Sequence, residues 1–296
     1  MNGILNILKP PGMTSHDIVS IVRKRLNIKK VGHAGTLDPG AAGVLPVCVG
    51  QATKISQYLL DSNKKYRTEL TLGVRTDTED MYGTVIGRSS VVSTKEEIER
   101  AIMSFIGTYN QIPPMYSAVK IKGKRLYELA RKGIEIERNS RTVTVYSIDI
   151  IEIEGNKAMF DVLCSKGTYI RTLCKDIGDV LGCGGTMSFL LRTVSGKFDL
   201  ETTVTVEELL ETERIEDLLL PSDFPLEHMP KIIVKPISVK QALNGNNIYS
   251  YYSTDNEKVS SGTKVRIYIK KQFIGFGIVK CDKIGMNYIK VLRLLL

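Results

Sequence analysis

A single carboxylate stands among small residues in the string Gly32-His33-Ala34-Gly35-Thr36-Leu37-Asp38-Pro39. Pro39 biases Asp38 toward an extended backbone, and Gly32, Gly35, Gly40 and Gly43 let the chain pass close to another molecule. A carboxylate held this way is placed to act on something bound beside it. Asp-Pro-Gly is also an ordinary turn, with proline setting φ and glycine accepting a positive one. On the string alone both readings stand. Tyr66 lies on the apolar face of a stretch in which Thr68, Leu70, Leu72 and Val74 alternate with Lys65, Arg67, Glu69 and Thr71. Core packing accounts for it there. Arg171 opens a helical stretch, where the helix dipole disfavours positive charge, although an arginine on a helix is ordinarily solvated. Asp77, Glu79 and Asp80 lack the EF-hand loop pattern and read as a solvated, structural turn. His33 needs no more than plain hydrogen bonding.

The elements that must position these residues can be read from periodicity. Thr14 or Ser15 caps a helix whose apolar positions are Ile18, Val19, Val22 and Leu26. It ends in the basic cluster Arg23, Lys24, Arg25, Lys29 and Lys30, just before the Asp38 loop. The alternation around Tyr66 predicts a half-buried strand. Thr94 precedes a helix over residues 95–105, and strands are expected near 143–153 and 158–164. Before them lies an insertion, residues 110–141, that gathers Lys120, Lys122, Lys124, Arg125, Arg131 and Lys132. Ile170, Leu173, Ile177, Val180 and Leu181 make an amphipathic helix stopped by Gly182, Gly184 and Gly185. Residues 206–220 are acidic and helix-like, and a proline-bearing linker over 221–230 follows. Beyond it, short β-like segments at 264–269, 273–279 and 288–294 predict a small barrel. Strands and helices mixed without regular β-α-β alternation indicate an α+β fold.

With 296 residues the chain has room for one large domain and a small one. Its 43% hydrophobic and 25% charged content is that of a soluble globular protein. No apolar run approaches the roughly 20 residues that span a bilayer, and the start has no basic n-region, so a cytoplasmic location is expected. The 5 cysteines, at 48, 164, 174, 183 and 281, are odd in number and lack C-x-x-C spacing, which argues for reduced thiols over disulfides or zinc. The three histidines, 16, 33 and 228, are too scattered to ligate a metal together. No dinucleotide fingerprint or P-loop is present. The net charge of +9 is localised: residues 231–296 hold 12 Lys or Arg against Asp255, Glu257 and Asp282, while the first 230 hold 29 of each sign. That asymmetry points to a polyanionic partner.

The full string around Asp38, GHAGTLDPGAAGVLPV, resembles the catalytic segment of the tRNA pseudouridine synthase B family. Leu8-Lys9-Pro10-Pro11-Gly12-Met13-Thr14-Ser15 resembles the family's K-P-x-G-x-T-S element. Lys65-Tyr66 and Gly73-Val74-Arg75-Thr76-Asp77-Thr78 resemble its K-x-Y and G-x-R-T-D-T segments. Gln111-Ile112-Pro113-Pro114, Tyr116-Ser117-Ala118 and Arg131-Lys132-Gly133 resemble its RNA-gripping insertion, and Gly167-Thr168-Tyr169-Ile170-Arg171 its G-T-Y-I-R segment. One departure is Leu190-Leu191-Arg192-Thr193, where the family commonly reads L-R-R-T, so a basic contact is missing at Leu191.

The resemblance implies a pseudouridine synthase fold, with a mixed, mainly antiparallel sheet over residues 1–230 and a PUA-like RNA-binding domain over 231–296. It implies isomerisation of a uridine in the T-loop of tRNA, conventionally numbered 55, with no cofactor or metal. Asp38 would be the essential carboxylate, attacking C1′ or removing the 2′ proton. Arg171 would pair with it, and Tyr66 would stack on the flipped uracil and could take the C5 proton. His33, Tyr169, Leu190, Arg192, Lys120 and Arg131 would contact the RNA, while Lys9 and Pro10 would support the tyrosine. A monomer acting without guide RNA or protein partner is expected. The alternatives are a non-catalytic RNA-binding or RNA-folding protein of the same fold, or a synthase acting on another RNA.

Overall fold

Thr14 and Asp17 open the first helix by a reciprocal pair of hydrogen bonds: each backbone N–H donates to the other's side chain, at 2.8 and 3.1 Å. The helix runs Ser15–Leu26 and buries Ser15, Ile18, Val19 and Val22, the face the spacing predicted. Thr94 and Glu97 build the same device at the start of Lys95–Met103. The structure, a computed structural model, describes residues 1–121, 123–253 and 259–296. Lys122, expected in the basic insertion, lies outside the described residues, as do the side chains of Lys120 and Arg125.

A 9-stranded sheet forms the body of the molecule among the described residues. Its main path runs Gly3–Lys9, Ala42–Val49, Gly185–Ser195, Lys64–Leu72, Lys157–Cys164, Arg141–Glu154 and Gly107–Gln111. Neighbours are antiparallel except at one place, where Leu191 and Arg192 run parallel to Ala42 and Gly43. The mixed, mainly antiparallel α+β arrangement is the expected one. One core packs Ile170, Leu173 and Ile177 of the helix Ile170–Val180 against Leu70, Phe160 and Val162. A second packs Ile18, Val19 and Val22 against Leu5, Ile7, Leu45 and Val47.

The strand bearing Tyr66 stops at Leu72 instead of continuing to Val74. After Gly73 the chain forms a two-stranded hairpin, Val74–Thr76 with Val85–Arg88. The insertion leaves and re-enters the sheet at one point, because Gln111 pairs with Arg141. It carries a two-residue hairpin, Lys120–Ile121 with Lys124–Arg125, and the short helix Leu126–Ala130.

The stretch 206–220 is less helical than expected. The helix is only Val206–Glu211; Thr212 turns extended at φ −61 and ψ 138, and a 3-10 turn, Ile215–Leu218, follows. Tertiary contacts override local propensity here. Val206, Leu209 and Ile215 all reach one core, and Leu220 exchanges backbone hydrogen bonds of 2.9 Å with Ile4.

The last 66 residues by number, 231–296, hold a second sheet of 5 strands in the order Tyr251–Ser253, Lys231–Val234, Lys264–Ile269, Gln272–Cys281, Asn287–Leu294. Ile248 and Ile289 exchange two further backbone bonds, of 2.9 and 2.8 Å, joining the first segment to the last strand and closing a small barrel. This sheet packs on the body: Tyr58 meets Phe276 edge-on at 4.6 Å, and Lys54 Nζ donates to the Leu294 carbonyl at 2.9 Å. Asp223 of the linker accepts from Arg266 Nη1 at 3.0 Å and from the Tyr268 hydroxyl.

The parallel strand pair depends on Gly43, whose φ is +120 and where a Cβ would fall 2.2 Å from the Arg192 carbonyl oxygen. Gly12 also has a positive φ, +88, but has open space around it. Gly43→Ala should therefore destabilise by about 2 kcal/mol or more, lowering the thermal midpoint by several degrees, while Gly12→Ala costs only about 1 kcal/mol. Thermal unfolding of both variants checks this; equal losses would show that space at Gly43 is not the constraint.

Candidate active site

The Asp38 loop has no secondary structure of its own, so other elements hold it. Ser15, buried at the start of the first helix, accepts from the Leu37 N–H at 2.9 Å and donates to the Leu37 carbonyl at 3.2 Å. Lys9, wholly buried, donates to the carbonyls of Pro10, Met13 and Pro39 at 2.8, 2.6 and 3.2 Å. Burial lowers its pKa to about 8, against the pull of Asp38. Arg192, 1% exposed, donates to Val44 at 2.8 Å and Gly35 at 3.0 Å. Two buried cations and a serine thus replace the regular hydrogen bonding the loop lacks.

Arg171 reaches the loop from the helix Ile170–Val180. Its Nε lies 2.9 Å from Asp38 Oδ2 and its Nη2 3.2 Å from Asp38 Oδ1, a two-point contact. The same guanidinium donates to the carbonyls of Thr78 at 3.0 Å and Tyr116 at 2.9 Å, and Asp80 Oδ2 lies 3.6 Å from Nη1. Four chain segments therefore meet on one side chain that is only 5% exposed, whereas the Asp38 side chain is 35% exposed and open to a ligand. Burial raises the Asp38 pKa above the ordinary aspartate value; Arg171 and Lys9 pull it down, and Asp80 adds to the rise. Arg171 thus opposes the rise without overcoming it.

The helix start that carries Arg171 has no side-chain cap of its own. Buried Gln111, at the base of the insertion, supplies one. Its Oε1 accepts from the Tyr169 N–H at 2.8 Å, and its Nε2 donates to the Tyr169 carbonyl at 3.0 Å. Arg141, opposite Gln111, lies over the Tyr169 ring at 5.7 Å.

Tyr66 is half-buried, opposite Arg192 in the sheet. Burial raises the pKa of its phenol; Arg192 beside it, as charge and hydrogen-bond partner, opposes the rise, and nearby Asp38 adds to it. His33 has a buried Nδ1 without a partner, and burial together with Arg192 lowers its pKa. Arg192 is thus the common neighbour of Tyr66, His33 and Asp38, and Arg171 holds Asp38 from the other element. Arg131 stays out on the insertion, exposed, with its guanidinium 5.4 Å over the Tyr127 ring.

Three expectations change. Arg192 and Leu190 were read as RNA contacts, but Arg192 is enclosed by carbonyls of the loop, and Leu190, 7% exposed, belongs to the core with Leu70 and Leu173. Lys9 fastens the Asp38 loop through Pro39 rather than steadying the tyrosine. The acidic turn is not solvated at all three positions: Asp80 is 8% exposed beside Arg171, and Glu79, its pKa raised by burial, accepts from Thr172 at 2.6 Å. Asp80, Ser15 and Gln111 were read from the sequence only as part of a solvated turn, a capping candidate and part of a motif, not as residues that build the site. One signal for Asp80 existed: a guanidinium has five donors, more than one aspartate can satisfy.

Residues 23–170 match the model of the TruB family pseudouridylate synthase (N terminal domain), and 171–227 that of the tRNA pseudouridylate synthase B C-terminal domain. The chain belongs to the tRNA pseudouridine synthase B family. A relative from Alkaliphilus oremlandii named tRNA pseudouridine synthase B is 66% identical over 295 residues, covering 100% of this chain and 99% of that protein. Another of that name, from Clostridioides difficile, is 47% identical and covers 94% of each chain. The solved structure titled "Crystal Structure of a Cbf5-Nop10-Gar1 Complex" matches with a TM-score of 0.74 at 30% identity, covering 99% of this chain and 85% of that one. "Structure of H/ACA RNP bound to a substrate RNA containing 2'-deoxyuridine" matches with 0.73 at 28% identity, covering 99% and 85%. The chain is a pseudouridine synthase, and the sheet and barrel described above are the pseudouridine synthase fold with a small C-terminal sheet consistent with a PUA-like unit. Among the described residues no helix is long and apolar enough to cross a membrane.

The charges around Asp38 set the sign of two perturbations. Arg171→Ala removes a cation and should raise the Asp38 titration midpoint, whereas Asp80→Asn removes a like charge and should lower it. Carboxyl carbon NMR of the labelled protein across acid pH reads both. A midpoint that rises in Asp80→Asn would mean that Asp80 acts mainly by holding Arg171 in place.

Proposed function

We propose that this chain isomerises the T-loop uridine conventionally numbered 55 in tRNA, as a monomer without guide RNA or protein partner. The observation that carries this reading is the two-point contact between buried Arg171 and solvent-accessible Asp38. Pseudouridine formation breaks the N1–C1′ bond, forms a C5–C1′ bond and moves one proton from C5 to N1. Reactant and product are isomers, so the reaction balances without a second reactant.

Ionised Asp38 begins the reaction by either route, attack on C1′ or removal of the 2′ proton with departure of the base. Arg171 serves both by holding the carboxylate's plane and favouring its charge. The target base must leave its stack, which costs about a few kcal/mol and least in a loop; Tyr66 offers the extruded uracil an aromatic face. Tyr66 is also the candidate to take the C5 proton; burial, which keeps its phenol protonated, works against that role and Arg192 offsets part of it. His33, Tyr169, Lys120 and Arg131 are assigned to RNA contact, with Pro10 and Lys9 in support of the loop. Residues 1–230 form the catalytic unit, and residues 231–296, carrying the whole charge excess of +9, a second RNA-binding unit.

The direct test incubates the pure chain with an unmodified tRNA transcript, without cofactor or guide, and maps pseudouridine. Asp38→Asn should fold and bind tRNA nearly normally yet turn over at least about 10⁴-fold more slowly, a barrier increase of about 5.5 kcal/mol. Turnover within tenfold of wild type would sink the assignment.

A second comparison separates charge from geometry. Lysine cannot reproduce the two-point contact of Arg171, and a displacement of about 1 Å can lower the rate on the order of 100-fold. Arg171→Lys should therefore lose most of its single-turnover rate with little change in tRNA affinity, and Arg171→Ala more. Near-full activity in Arg171→Lys would show that a positive charge alone suffices.

A further inference from the structure

Tyr82 is 74% exposed, although it sits beside the most enclosed part of the molecule. Its ring rests on Gly40, two residues beyond Asp38: a Cβ at Gly40 would fall 2.0 Å from Cε2 of the ring. Its hydroxyl donates to the Gly40 carbonyl over 3.4 Å. The backbone beneath it is fixed, because its N–H donates to Asp80 Oδ1 at 3.1 Å and the neighbouring Met81 N–H to the Met187 carbonyl at 3.1 Å. Thr78 Oγ1 binds the same Asp80 oxygen at 2.7 Å. One face of the ring is thus laid on the backbone of the Asp38 loop, while most of the side chain faces solvent. A tyrosine placed there adds little to the core, since so little of it is removed from water.

We propose that Tyr82 is a stacking platform for an RNA base next to the isomerised uridine. Extruding one nucleotide strips its neighbours of a stacking partner, and proteins meet such splayed bases with aromatic faces. The platform rests on Gly40, two residues along the chain from the carboxylate that acts on the extruded sugar, so it stands beside the place where the target nucleotide enters. Its backbone is held before RNA arrives, which limits the ordering that binding requires. The inference rests on the assignment of Asp38 as the reacting carboxylate but concerns a different residue and a different nucleotide.

The test uses T-arm stem–loop RNAs, intact or carrying an abasic nucleotide immediately 5′ or 3′ of the target uridine. Dissociation constants and single-turnover rates at saturating enzyme are measured for wild type, Tyr82→Phe and Tyr82→Ala. Loss of one base stack by alanine substitution is expected to weaken binding about tenfold, with Tyr82→Phe within about twofold of wild type and the saturating rate of Tyr82→Ala held within about threefold. One of the abasic RNAs should bind wild type as weakly as Tyr82→Ala binds intact RNA, and the two losses should not add. Additive losses on both abasic RNAs, or unchanged affinity in Tyr82→Ala, overturn the platform. So does a lower saturating rate at normal affinity, which places Tyr82 behind Asp80 and Arg171 instead. Failure of the underlying assignment is distinguishable, because wild type itself would then form no pseudouridine in the intact stem–loop.

Discussion

The buried guanidinium of Arg171 is the constraint on which the site depends. A cation removed from water is tolerable only when its donors are all answered. Here the answers come from Asp38, Asp80 and the carbonyls of Thr78 and Tyr116. They lie on three separate stretches of chain, so the Asp38 loop, the hairpin loop and the insertion are all referred to one plane on the helix start. Such an arrangement is weak evidence for stability, since well-packed apolar residues often do as well. It is strong on geometry, because a fork of donors accepts a carboxylate in few orientations.

The same logic runs beneath the loop. Lys9 and Arg192 are buried with their donors turned to carbonyl oxygens rather than to carboxylates. Carbonyls neutralise nothing, so the cations keep their field while the loop keeps its shape. The Asp38 carboxylate thus feels the charges of Arg171, Lys9 and Arg192, yet burial and Asp80 still raise its pKa. Holding and charging a functional group are separate tasks, and different residues perform them here.

Much of this was legible before any coordinates. Capping residues and apolar spacing placed the helices after Thr14 and Thr94, the alternation around Tyr66 placed its strand, and the position of Arg171 at a helix start marked it as unusual. The interiors of Arg192 and Lys9 were not legible, because a long basic side chain is ordinarily assigned to the surface. Their partners, at Val44, Gly35 and Pro39, become neighbours only through sheet pairing and loop closure. Asp80 was hidden for the same reason: its partner is more than 90 positions away, at Arg171. The extent of helix after Val206 failed on tertiary grounds, since Leu220 is held in backbone pairing with Ile4.

The bond between Gln111 and Tyr169 bears on how such a protein can change over time. The base of the insertion, Gln111 and Arg141, engages Tyr169 immediately before the helix of Arg171, and Tyr116 engages Arg171 itself. Beyond Tyr116, whose carbonyl also binds Arg171, the chain can lengthen, shorten or exchange its basic residues without disturbing these contacts. A change that moves the junction moves the arginine with it.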